Sequence, residues 1–273
     1  MANKSMFLNM LLCLVLITFH FAESLKFGDP DEDYPWFLAL QERTNSSTDD
    51  WKHFCTAVVL SEKYHLVILP AHCLYKRPQN GQNIKFVAGE WSQRKWKMLH
   101  MGKHLGPTYF GKWWTDDYKN TGDLCIVQLD DWYSGLKVLP RPDSRFYLIP
   151  YVSNCYAFGN KPGQTVYFRR EVVKLTIVPQ ERCIYEWGDL ARNDSKICVV
   201  NKSGEPCPGD PGSILVCDDP HLPLSYHLIG FSATGPNFCG TDTISALYTN
   251  ILSYRDWIHM IYTAYSKHLP AKD

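Results

Sequence analysis

Short apolar runs recur along most of the chain, separated by polar and turn-forming residues. Short β-prone runs broken regularly by Gly, Pro, Asn and Asp are typical of sheets that form sandwiches or barrels. The pattern therefore predicts an all-β protein with two groups of strands. The first group covers residues 36–40, 56–60, 65–69, 84–87 and 124–129, and the second covers 155–158, 166–178, 197–200, 214–217, 227–231 and 246–250.

Only the C-terminal tail has a helical period. Trp257, Ile261 and Tyr265 recur at four-residue spacing, which places them on one face of an α-helix over residues 252–266. The stretch 139–147 contains two prolines and is the predicted connection between the two groups of strands.

The N-terminus has the pattern of a secretory signal peptide. Lys4 precedes an almost wholly apolar run from Phe7 to Phe21, and small residues at Ala22 and Ser24 favour cleavage after residue 24. The alternative is a buried core helix. No later apolar run approaches the roughly 18 residues of a membrane span. We therefore expect a secreted, extracellular protein without a membrane span.

The composition narrows the functional classes. Lys plus Arg and Asp plus Glu both number 28, so the net charge is zero, and no long-range field favours nucleic acid or an anionic membrane. Ten cysteines without CxxC spacing indicate disulfides in an oxidising compartment rather than a zinc site. The histidines are scattered, and we expect no metal and no cofactor. N-glycosylation triplets begin at Asn45, Asn193 and Asn201.

Several short motifs along the chain carry a family resemblance. Their order is Tyr34-Pro35-Trp36, Ala71-His72-Cys73, Asp123-Leu124, the run from Cys207 to Gly212, and Leu247-Tyr248-Thr249. In this order they resemble the trypsin-like serine proteases of the chymotrypsin fold, peptidase family S1. The segments 87–91, 172–179 and 212–213 are most similar to the insect non-catalytic homologues of the masquerade-like or CLIP-A type. No cysteine lies between residue 24 and Cys55, so we expect no CLIP domain.

The resemblance implies two antiparallel six-stranded β-barrels and a C-terminal helix. The implied domain covers residues 25–273, with the first barrel at about 34–140, the second at about 141–252 and the helix at about 252–266. The resemblance also implies the disulfides Cys55–Cys73, Cys155–Cys217, Cys183–Cys198 and Cys207–Cys239. Cys125 has no partner in this set, and we expect it to be a small buried hydrophobic residue.

The catalytic machinery that the resemblance implies is incomplete. His72 matches the general base and Asp123 the carboxylate that orients it, but Pro211 occupies the position of the nucleophilic serine. Proline has neither a hydroxyl nor a backbone N–H, so Gly209 alone remains of the two oxyanion donors. Ser213 lies two residues further on, and reaching the reactive position would need a shift of roughly 6–7 Å. We therefore interpret the His72–Asp123 pair as a structural remnant, with a functional dyad as the alternative.

The sequence also departs from the family pattern in the segments for activation and substrate recognition. No Ile-Val-Gly-Gly tetrad precedes Tyr34, although the resemblance implies a freed amine that pairs with Asp210. Glu205 falls at the implied base of the specificity pocket, where a carboxylate would hold an Arg or Lys side chain; the alternative is a solvated loop charge. Ala246 replaces a wall glycine, and Thr234 stands where a pocket-edge tryptophan is usual.

These observations favour a secreted pseudoprotease that acts by protein binding. The expected partners are extracellular proteases, zymogens or inhibitors of a proteolytic cascade, such as the one that the resemblance implies for insect immunity. An active serine-type endopeptidase of unusual mechanism is one alternative. A seminal or luminal binding protein is the other, and the tissue of expression would separate it from the first reading.

Overall fold

The computed structural model describes residues 34–43, 51–74, 83–90, 95–99, 122–140, 154–159, 171–192, 194–202, 212–219, 222–234 and 244–268. The predicted signal peptide lies outside these residues. The first half of the chain forms six strands: β1 (Phe37–Glu42), β2 (Lys52–Ser61), β3 (Leu66–Leu69), β4 (Ile84–Glu90), β5 (Lys95–Leu99) and β6 (Cys125–Gln128). They make one antiparallel sheet in the order β5-β4-β1-β2-β3-β6.

The second half forms a closed antiparallel barrel in the order β10-β11-β12-β9-β8-β7. This confirms the predicted all-β fold with two sets of six strands. The barrel strands are β7 (Cys155–Gly159), β8 (Glu171–Ile177), β9 (Lys196–Val200), β10 (Ile214–Asp219), β11 (Leu222–Thr234) and β12 (Ala246–Asn250).

Two α-helices and three short 3₁₀ helices complete the described fold. Helix α1 spans Gln180–Trp187 and α2 spans Arg255–His268. The 3₁₀ helices are Ala71–Cys73, Gly188–Ala191 and Ile251–Tyr254. The C-terminal helix is confirmed, but the expectation that only the tail is helical is wrong, because α1 follows directly on Pro179. A helix of only eight residues that buries one residue, Cys183, has too little periodicity to show in the sequence.

Both faces of the central strands are buried, which explains why their sequences are continuously apolar. In β1, Leu38 and Leu40 face the core of the first sheet, whereas Phe37 and Ala39 face a second cluster. That second cluster also contains Phe158 of the barrel and Trp257 of α2. The two halves therefore share one apolar core, which the C-terminal helix helps to close.

Among the described residues, three disulfides connect elements of this scaffold. Cys55–Cys73 ties β2 to the first 3₁₀ helix, Cys155–Cys217 joins β7 to β10, and Cys183–Cys198 fixes α1 on β9. Cys207 and Cys239 lie outside the described residues. Cys125 is a buried free thiol, and burial, together with the nearby Asp123 charge, raises its pKa to about 12. It therefore stays protonated and unreactive.

Candidate functional site

His72 and Asp123 are brought together because β3 and β6 are neighbours. Leu69 pairs with Cys125, so the residues just after β3 meet those just before β6. The His72 Nδ1 lies 2.8 Å from Asp123 Oδ2, and the His72 backbone N–H donates to Oδ1 at 2.9 Å. The side chain of Asp123 is 1% exposed and that of His72 is 13% exposed. The geometry is that of an imidazole oriented by a buried carboxylate.

Tyr254 supports this pair from the second half of the chain. Its hydroxyl accepts the backbone N–H of Gly122 at 2.9 Å, directly before Asp123. Burial raises the pKa of Tyr254, and the Asp123 charge adds to the effect, although hydrogen bonds from Gly122 and Ser195 lower it. The sequence analysis missed Tyr254. It lies three residues before Trp257, so extending the apolar periodicity of the tail by one turn would have found it.

Gly212, which follows residue 211, is fixed by its backbone conformation and by contacts with β2. Gly212 has a φ of 87°, and its carbonyl accepts the Thr56 hydroxyl at 2.5 Å. A Cβ at this position would lie 2.6 Å from the Sγ of Cys55. The glycine of this motif is therefore required by packing against the Cys55–Cys73 disulfide, whether or not any chemistry follows. Pro211 itself, with Gly209 and Glu205, lies outside the described residues.

Ser213 uses its hydroxyl within the second barrel. Its Oγ lies 3.0 Å from the hydroxyl of Tyr248, and the residue is fully buried. Its carbonyl accepts the backbone N–H of Ser232 at 2.8 Å. The hydroxyl is thus paired with a tyrosine and withdrawn from solvent.

The predicted pocket-wall residues begin and end strands of the barrel. Ala246 is fully buried at the start of β12, in the same cluster as Val199 and Tyr248. Thr234 ends β11 and pairs with Leu247 in the ladder. The methyl group of Ala246 thus forms part of the barrel core. Among the described residues, no three His, Cys, Asp or Glu side chains are grouped to hold a metal ion.

Helix α1 fixes the segment that leads into Ala246. Glu186 accepts the backbone N–H of Ser245 at 2.7 Å and also its hydroxyl, and Arg182 lies 2.6 Å from the same carboxylate. The Trp187 indole donates to the carbonyl of Ser245 at 3.1 Å. Burial raises the pKa of Glu186, but the hydrogen bonds from Ser245 and the Arg182 charge outweigh it and hold the pKa below its usual range.

We expect Ser245→Ala to lower the free energy of unfolding by about 1.5–3 kcal/mol near neutral pH, because a hydrogen bond to a charged group is lost. The folded-state pKa of Glu186 is depressed, so this stabilisation is present above its unfolded pKa and is lost as the pH falls through the folded value. Thermal unfolding at neutral pH and at about pH 3 should show the variant approaching the wild type in acid. Ser232→Ala is the matched control, since the buried Ser232 hydroxyl has no hydrogen-bond partner among the residues that the structure describes. An equal loss at both pH values would contradict the assignment.

The three glycosylation triplets differ in what the structure shows. Asn45 and Asn193 lie outside the described residues. Asn201 follows β9 and is only 9% exposed. An attached glycan is bulky and occupies the surface, so the burial of Asn201 disfavours modification there in the folded protein.

A family model described as trypsin matches residues 27–258. The kallikrein 1-related peptidase b8 of Mus musculus is 33% identical over 251 residues, covering 82% of this chain and 83% of the relative. The CLIP domain-containing serine protease B4 of Anopheles gambiae is 22% identical over 257 residues, covering 83% of this chain and 66% of the relative. The CLIP domain-containing serine protease HP8 of Bombyx mori is 24% identical, with the same two coverages.

The chain spans about two thirds of the length of these two insect relatives. Within the described ranges, every helix is too short or too polar to cross a bilayer.

Proposed function

Because the chain belongs to the trypsin family of serine proteases, we propose that it is a secreted, catalytically inactive member that acts by binding other extracellular proteins. In this proposal it is a regulator or cofactor of an extracellular proteolytic cascade such as one of innate immunity. The observation that carries the proposal is Pro211, which stands in the sequence where the family motif has its serine.

Proline at this position removes two catalytic functions at once. It has no hydroxyl to attack a carbonyl, and losing the nucleophile costs about a million-fold in turnover. It also has no backbone N–H to donate to an oxyanion, and losing one such donor costs about 100- to 1000-fold. The two losses need not multiply, but either one is disabling.

The groups that remain have structural reasons to be present. Both oxygens of the buried Asp123 carboxylate are bonded to His72, so removing either partner would leave a buried polar group unsatisfied. Gly212 is required by its close contact with Cys55. Ser213, the serine closest to position 211 in the sequence, is paired with Tyr248. These contacts stabilise the scaffold without requiring catalysis.

The test uses the purified secreted protein in two measurements. A fluorophosphonate probe, which labels activated serines, should leave it unlabelled. A pull-down from its native extracellular fluid, with mass spectrometry, should recover proteases, zymogens or inhibitors. Recovery of none of these, together with peptide cleavage by the protein itself, would overturn the proposal.

An active endopeptidase is the second candidate, because the His72–Asp123 geometry is complete at 2.8 Å. Such an enzyme would need a nucleophile other than residue 211. Probe labelling that maps to Ser213 would favour it, and would require the Ser213–Tyr248 hydrogen bond to break.

A further inference from the structure

Helix α1 carries the most exposed large hydrophobic side chain in the described part of the chain. Tyr185 is 90% exposed, and within the described ranges its ring contacts neither another aromatic ring nor a cation. Ile244, which is 49% exposed, adds apolar surface beside the helix, because the next residue, Ser245, donates its backbone N–H to Glu186. Tyrosine is enriched among the residues that dominate binding, since its large ring gains contact area when a partner covers it. The exposed face of α1 is therefore a candidate docking surface.

Carboxylates precede and follow Tyr185 along the chain. Glu181 lies four residues before it and so shares its face of the helix; Glu181 is exposed, and in the described part of the chain no cation pairs with it. Asp189 lies four residues after Tyr185, just beyond the end of α1, and its side chain is 89% exposed. The Oδ1 of Asp189 lies 2.7 Å from the Nε of Arg192, but Arg192 is itself 72% exposed, so water and salt screen this pair. Two accessible carboxylates thus bracket the aromatic residue.

The remaining charges leave the surface of α1 negative. Arg182 Nε lies 2.6 Å from Glu186, so this positive charge is already compensated. Residues 180–192 contain three carboxylates and two guanidinium groups. In addition, the last turn of α1 carries no basic side chain, so the partial negative charge of the helix C-terminus is not compensated there. The local field therefore favours a cation.

We propose that the α1 surface, defined by Glu181, Tyr185 and Asp189, docks a basic, arginine-bearing segment of an extracellular partner protein. The planar guanidinium of an arginine stacks on the face of a tyrosine ring and binds a carboxylate through two parallel hydrogen bonds. An acidic segment would meet the surplus carboxylates. A second copy of this chain is disfavoured as the occupant, since a two-fold interface would bring the same carboxylates together. The inference rests on the proposed function, because it names the chemistry of a binding partner.

The experiment measures binding of a fluorescent hexa-arginine peptide to the purified secreted protein by fluorescence anisotropy at low salt. Wild type should bind the peptide and release it as the ionic strength rises to about 0.15 M. Tyr185→Ala should weaken binding roughly two- to fivefold, which is the factor that a cation–π contact supplies at an exposed site. Tyr185→Phe keeps the aromatic ring and should bind like the wild type.

The contribution of the carboxylate is measured by comparing Asp189→Asn with Asp256→Asn. The two aspartates are 89% and 93% exposed, and each lies beside an arginine, Arg192 or Arg255. The variants have the same net charge, so a nonspecific attraction would weaken equally in both. Asp189→Asn should weaken binding roughly two- to fivefold, whereas Asp256→Asn should leave it unchanged. Arg192→Gln should strengthen binding, because it removes a competing cation from Asp189.

Four outcomes would overturn the proposal. They are no binding by the wild type at low salt, equal weakening by Asp189→Asn and Asp256→Asn, unchanged binding by Tyr185→Ala, and a dimer in sedimentation that Tyr185→Ala dissociates. The last of these would assign the α1 surface to a second copy of the chain. Thermal unfolding checks that each variant is folded, and we expect no change in Tm because the substituted side chains are exposed. Because the assay contains neither protease nor extracellular fluid, failure here would leave the probe and pull-down tests of the proposed function standing.

Discussion

Replacing Pro211 by serine is expected to leave the protein without measurable peptide hydrolysis. The change restores the hydroxyl and the backbone N–H, and the His72–Asp123 pair is already in place. What we expect still to be missing is activation. In active members of the family, a freed N-terminal amine pairs with the aspartate that matches Asp210, and no Ile-Val-Gly-Gly tetrad precedes Tyr34 here. Without that ion pair, we expect the oxyanion donors and the pocket to stay unformed.

The measurement compares Pro211→Ser with Pro211→Ala. Both variants restore the backbone N–H, but only the serine variant supplies a nucleophile, so the pair isolates the hydroxyl. Hydrolysis of fluorogenic Arg and Lys peptides and fluorophosphonate labelling should be at background for both. Robust hydrolysis by Pro211→Ser alone would contradict this prediction. It would show that the nucleophile was the only missing group and that the active site forms without the N-terminal tetrad.

The strand pattern was predictable because burial on both faces leaves a strong apolar signal. β1 and β3 are predicted almost to their ends, since nearly every side chain in them is buried. β5 was missed: its sequence, Lys-Trp-Lys-Met-Leu, carries charges at an edge of the described sheet, where Met98 is 48% exposed. An edge strand contributes less to the core, so its composition is less distinctive.

The site was predictable only in part, for a different reason. His72 and Asp123 are 51 residues apart, and no spacing rule predicts that they meet. Only the family motifs identified them as a pair. The support from Tyr254 and the link from Glu186 to Ser245 depend on how α2 and α1 pack on the sheets, and these tertiary contacts leave no short motif.

Gly212→Ala is expected to be among the most damaging single changes in the described residues. A φ of 87° strains any L side chain, and the new Cβ would lie 2.6 Å from Cys55 Sγ and 3.1 Å from Pro70 Cγ. Strain costs about 1–3 kcal/mol and overpacking a similar amount. The disulfide sulfur is fixed by two backbones and cannot swing away. We expect a loss of about 4 kcal/mol and a fall in Tm of roughly 10 °C.

Gly188→Ala separates the two causes of this loss. Gly188 also has a positive φ, of 56°, but nothing lies within 4 Å of its Cβ position. It should lose only the strain contribution, about 1–3 kcal/mol, in thermal or denaturant unfolding of the secreted protein. If the two variants were equally stable, the contact with Cys55 would be relieved by backbone movement. The glycine after position 211 would then be explained by its φ of 87° alone and not by packing against the disulfide.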